Sequence, residues 1–183
     1  MTYAVGDLTE SFTLPRAGGG EVTVVTSGAP ATVVIWTCNH CPYALAWHDR
    51  LQQVVRDYAG RDVVFVQVNA NDEEKYPADS FAEMEKRVEA GEFASDFLRD
   101  TEQSLSKQWG ARVTPDVFVL DPEGRIVYKG APDADHDDPS QNAQHLRDVL
   151  DDVLAGRPAR LSGTRAAGCK IKWTVDDQPN PYV

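Results

Sequence analysis

Residues 31–42 read Ala31-Thr32-Val33-Val34-Ile35-Trp36-Thr37-Cys38-Asn39-His40-Cys41-Pro42, and the stretch changes character half-way along. Its first six residues are an apolar, β-branched run, the pattern of a central strand buried on both faces. After Pro42, the residues Trp47, Leu51, Val54 and Tyr58 recur at steps of four, three and four. Such spacing puts them on one side of a helix ending near Gly60. Two cysteines therefore sit where a buried strand gives way to a helix.

Working outward, Val63-Val64-Phe65-Val66-Gln67-Val68 is a second buried strand and completes a β–α–β unit, which requires parallel pairing and a right-handed crossover. Upstream, Thr23-Val24-Val25 reads as a short strand after the turn-forming Gly18-Gly19-Gly20. Residues 69–110 are polar, with helix-like stretches at Ser80–Glu89 and Thr101–Trp109, and read as an insertion packed on the sheet. Val117–Leu120 and Ile126–Tyr128 flank Asp121-Pro122-Glu123-Gly124, which predicts an antiparallel hairpin. From Ser140, the stripe Leu146, Val149, Leu150, Val153 and Leu154 predicts a last helix closing at Gly156. The expected class is α/β: a central mixed sheet, a helical insertion between the β–α–β unit and the hairpin, and a C-terminal tail. We expect residues 1–156 to form the domain and residues 157–183 to be an extension packed on it. The tail, with Asp176 and Asp177 counted, is +3 against a body of −14.

A length of 183 residues suits one hydrophobic core, and 42% apolar with 26% charged residues excludes a disordered chain. No apolar stretch approaches the roughly 20 residues that span a bilayer. The start Met1-Thr2-Tyr3-Ala4-Val5-Gly6-Asp7 has neither a basic nor an apolar targeting region, so a cytoplasmic location is expected. A net charge of −11 opposes nucleic acid and anionic membranes as partners. Three cysteines are too few and too odd in number for a disulfide scaffold, which directs attention to reactivity or metal binding.

Two cysteines two residues apart at a helix mouth can bond across one turn, and the helix start stabilises a thiolate there. On that reading Cys38 attacks a substrate disulfide, Cys41 resolves the mixed disulfide, and a cationic His40 lowers the Cys38 pKa. The alternative is half of a zinc or copper site, completed by Cys169 or by one of His40, His48, His136 and His145. The chain offers no second C-x-x-C and no H-x-x-x-H.

The Cys-x-x-Cys after a buried strand, Val113-Thr114-Pro115 before the hairpin, Asn69-Ala70-Asn71-Asp72, and Gly168-Cys169-Lys170-Ile171-Lys172-Trp173 together resemble the thioredoxin superfamily, specifically its peroxiredoxin-like, redoxin-domain branch. That resemblance implies a thioredoxin fold and a cis Thr114–Pro115 bond facing the cysteines. It also implies pairing of the adjacent backbone with an extended substrate. A peroxidase would carry threonine where Cys38 stands, three residues before Cys41, and arginine where Pro115 aligns. Both departures favour dithiol exchange, although Arg112 could substitute. The expected activity is thus exchange with a protein or small-molecule disulfide, recharged by a reductase and needing no cofactor. Peroxide reduction and metal binding are the alternatives.

Cys169 reads either as a further resolving thiol or as a buried structural cysteine. Asp133-Ala134-Asp135-His136-Asp137-Asp138 fails the calcium-loop pattern at its sixth and twelfth positions and reads as a solvated acidic loop. Trp36, Trp47 and Tyr43 are core or substrate-groove residues, with Trp36 the better groove candidate because it is nearest the thiols.

Overall fold

The computed structural model describes residues 1–175 and 182, so the tail acids Asp176 and Asp177 lie outside the described residues. In chain order the elements are β1 (Phe12–Pro15), β2 (Glu21–Val24), β3 (Thr32–Trp36), α1 (Pro42–Asp57), β4 (Val64–Asn69), α2 (Phe81–Glu89), β5 (Asp96–Arg99), α3 (Ser104–Trp109), β6 (Val113–Thr114), β7 (Asp116–Leu120), β8 (Ile126–Gly130), α4 (Gln144–Leu154) and β9 (Cys169–Lys170). The central sheet runs β5-β4-β3-β7-β8. Strands β3, β4 and β5 are parallel, while β7 runs against β3 and β8 against β7. This is a mixed sheet in a thioredoxin fold.

Alternation along β3 explains the layers. Val33 and Ile35 face the α1 residues Trp47, Leu51 and Val54 and the α4 residues Leu146, Val149 and Leu150. Val34 and Trp36 face the opposite side, where the β1–β2 hairpin, Trp109 of α3, and Ile171 and Trp173 of the tail close the core. Full burial of each such side chain contributes about 1.5–3 kcal/mol, so both faces of the sheet are stabilised by apolar area.

The structure departs from the sequence reading inside residues 69–110. That segment is more than a helical insertion, because it supplies the edge strand β5, paired in parallel with β4. The strand is hard to read because Phe97 and Leu98 stand between Asp96 and Arg99. Arg99 is nonetheless buried, its guanidinium donating to the carbonyls of Asp79 (3.0 Å) and Asn71 (2.6 Å). Nor is the segment from Asp133 simply a solvated loop. Asp133 is buried, accepts a bond from Trp47 Nε1 at 2.7 Å, and pairs with Arg50 at 3.1 Å. Arg50 also donates to the carbonyls of Asp135, His136 and Asp138, tying the loop to α1. Among the described residues no helix is long and apolar enough to cross a membrane.

Candidate functional site

Helix α1 begins at Pro42, and its N-cap is Cys41, held in extended backbone at φ −68°, ψ 127°. Proline suits that first position because it lacks the N–H that would go unsatisfied. Cys38 lies three residues earlier, in the loop leaving β3. Both thiols are almost fully covered, Cys38 at 2% and Cys41 at 1% exposure. Thr114 lies against both: its Oγ1 is 3.2 Å from Cys38 Sγ, and its carbonyl accepts from Cys41 Sγ at 3.3 Å. The Thr114–Pro115 bond is cis.

The two thiols differ electrostatically. Cys41 is pulled down to about 4, first by a hydrogen bond from Cys38, then by Cys169, the Ala44 N–H and Thr114, with burial opposing. Cys38 moves upward, because it donates to Cys41, is buried, and faces the negative Asp79. This corrects the expectation of a lowered Cys38. The helix-start stabilisation acts on the capping residue, and the cap is Cys41. Of the two, Cys41 is the thiol that loses its proton more readily.

Sequence reading missed Asp79, which is fully buried in the turn before α2. Its carboxylate accepts the Asn39 N–H at 2.6 Å and the Asn71 side-chain amide at 2.9 Å. His40 Nδ1 lies 2.5 Å from Oδ2, the oxygen that accepts from Asn71, and the imidazole stacks on Tyr76. The imidazole thus lies against Asp79, and of the two it is the carboxylate that acts on Cys38. Asn69 and Asn71 belong to the motif quoted above; their site role is to hold this carboxylate.

Ligand atoms of Cys38, His40 and Asp79 lie within 4.8 Å of one another. The set fits a metal poorly. Zinc takes four ligands in a tetrahedron, whereas both oxygens of Asp79 already accept protein donors.

Trp36 is not a groove residue. It is fully buried, donates Nε1 to Ser106 Oγ at 2.7 Å, and packs on Trp109 and Phe118. The physical reason is its register: it ends a strand covered on both faces, so it points into the layer beneath the sheet. Trp47 is likewise core, whereas half-buried Tyr43 packs against the thiol cluster and stands 4.0 Å from the His136 ring. Cys169 is half-buried and packs on Cys38 and Cys41 from the tail, where burial and bonding to Cys41 raise it to about 11. Arg112 lines a cleft of about 480 Å³ with Asp116, Lys129 and Arg165.

Residues 4–146 match the family model described as Redoxin. No curated protein matches the chain. Among solved structures, a hypothetical protein from Sinorhizobium meliloti 1021 is 32% identical, with 96% of this chain and 97% of that one covered at a TM-score of 0.88. Peroxidoxin BcpB from Mycobacterium tuberculosis is 15% identical, covering 83% and 96% with a TM-score of 0.60. A putative thiol:disulfide interchange protein DsbE from Chlorobium tepidum is 17% identical, covering 70% and 85% with a TM-score of 0.59. The last two likenesses concern the fold.

Proposed function

Because the chain belongs to the redoxin family, we propose that it is a thiol–disulfide oxidoreductase whose nucleophile is Cys41 and whose second redox thiol is Cys38. The observation that carries this reading is a cysteine at the N-cap of α1 with a second cysteine packed beside it, both lying against Thr114. Cys41 thiolate attacks one sulfur of a substrate disulfide, forming a mixed disulfide and expelling the other sulfur as a thiolate that takes up a proton. Cys38, once deprotonated, attacks Cys41 Sγ, leaving a Cys38–Cys41 disulfide and a reduced substrate. An external dithiol then restores both thiols. Its bond to Cys41, its burial and then the Asp79 carboxylate keep Cys38 protonated at rest, so the two cysteines take distinct roles. The substrate class is a protein or small-molecule disulfide, and the setting is a reducing compartment such as the cytoplasm.

A second reading, a thiol peroxidase, rests on the same capped Cys41, because a low-pKa thiolate at a helix start also suits attack on a peroxide oxygen. Insulin reduction measured beside peroxide consumption, for the wild type and each Cys→Ser variant, separates the two. Exchange predicts that Cys41→Ser abolishes insulin reduction and that Cys38→Ser cannot form the Cys38–Cys41 disulfide that completes the cycle. Rapid peroxide consumption that survives Cys38→Ser, without insulin reduction, would reverse the order of the two readings.

A further inference from the structure

We propose that Cys169 is a third redox thiol, which resolves the mixed disulfide on Cys41 before Cys38 takes over the bond. The proposal rests on Cys41 being the nucleophile and deepens that reading.

The placement of Cys169 is built into the fold. β9 pairs antiparallel with β6, setting Cys169 opposite Thr114 and Lys170 opposite Val113. Thr114 is the residue that touches both Cys38 and Cys41. The tail is fastened on either side of this strand. Upstream, Thr164 bonds the Lys129 carbonyl at 3.2 Å and the Ala131 N–H at 2.8 Å. Downstream, the Lys172 N–H donates to Asn71 Oδ1 at 2.9 Å, and the Asp72 N–H donates to the Lys172 carbonyl at 2.8 Å. Ile171 and Trp173 are buried in the core beneath the sheet. Cys169 is thus held by two anchors opposite Thr114, and its side chain packs against the Cys38–Cys41 cluster.

Its charge environment sets the order of events. At rest the Cys41 thiolate is one of the influences that keep Cys169 protonated, while the Lys172 ammonium acts the other way. Formation of the mixed disulfide removes the charge on Cys41, and Lys172 then favours the Cys169 thiolate. Cys38 faces the fixed anion Asp79 instead, so its deprotonation lags. In the first step, Cys41 thiolate and R–S–S–R give Cys41–S–S–R and a thiolate R–S⁻. In the second, the Cys169 proton passes to that thiolate. The Cys169 sulfur then attacks Cys41 Sγ, and the second R–S⁻ leaves to be protonated by water. In the third, Cys38 attacks Cys41 Sγ and breaks the Cys41–Cys169 bond. Cys169 departs as a thiolate and recovers the proton that Cys38 has lost. The third step moves a bond without net oxidation.

The test uses full-length Cys38→Ser and Cys38→Ser/Cys169→Ser proteins, each mixed with oxidised glutathione and followed by intact mass and by peptide mapping without reductant. The double variant is expected to hold glutathione on Cys41 as a stable adduct. The single variant is expected to expel it at least tenfold faster and to end with a Cys41–Cys169 bond. If both variants retain glutathione on Cys41 equally, Cys169 is not a resolving thiol, although Cys41 remains the nucleophile. If the double variant takes up no glutathione on Cys41, the nucleophile assignment itself falls, and this proposal with it.

Discussion

Cys41 caps helix α1 and is also the cysteine of the pair whose pKa is lowered, first by the Cys38 thiol and then by its other partners. Removing its main hydrogen-bond donor should be visible directly: thiolate ultraviolet absorbance in the wild type should rise with a first midpoint near 4. In Cys38→Ser that midpoint should shift by a unit or more if the Cys38 thiol supplies the largest stabilisation. Asp79→Asn is a complementary change. An amide cannot accept bonds at both former oxygen positions, so stability should fall by about 2 kcal/mol in chemical denaturation. The Cys38 thiol should titrate lower, because the anion beside it is gone. The C-x-x-C was readable from spacing alone, but which cysteine is the thiolate depends on the residue at which α1 starts. Pro42 was the available signal for that start. Asp79 carried no signal, because nothing local ties a carboxylate 38 residues downstream to Cys41. Trp36 is next to the thiols in sequence, but its place in a strand covered on both sides sends its ring into the core.

At the level of elements, the β–α–β unit and the β7–β8 hairpin were legible because long apolar runs and a Pro–Gly turn declare themselves. The short strands were not. β5 mixes two apolar residues with two charged ones, and β6 and β9 have two residues each, a length that no periodicity can mark. The β6–β9 pairing depends on Gly168, where a Cβ would stand 2.5 Å from the Thr114 carbonyl oxygen and the backbone lies at φ +155°. Gly168→Ala should therefore lift β9 from β6. Reaction of the reduced protein with a chromogenic aromatic disulfide should accelerate roughly tenfold, since a ~1.4 kcal/mol loss of closure corresponds to that factor. An unchanged rate would mean that β9 does not limit access to the thiols.

For the molecule as a whole, composition and charge set the class, but not the way in which the tail completes the core. Ile171 and Trp173 cover the sheet face opposite α1 and α4; the alternation Cys169-Lys170-Ile171-Lys172-Trp173 has the period of a strand but does not tell which part of the fold it covers. Trp173→Ala should cost about 3–5 kcal/mol, and a chain ending at Gly156 should melt at a lower temperature and bind a hydrophobic dye. Two-state melting at the wild-type temperature by the shortened chain would show that the tail is dispensable for folding. The late position of β9 also bears on synthesis. The ribosome reaches Cys169 more than a hundred residues after Cys41, an interval on the order of ten seconds at typical elongation rates. Throughout that interval Cys41 lacks both the strand that later covers it and the partners that lower its pKa, so its reactivity is a property that the chain acquires only once its last strand is made.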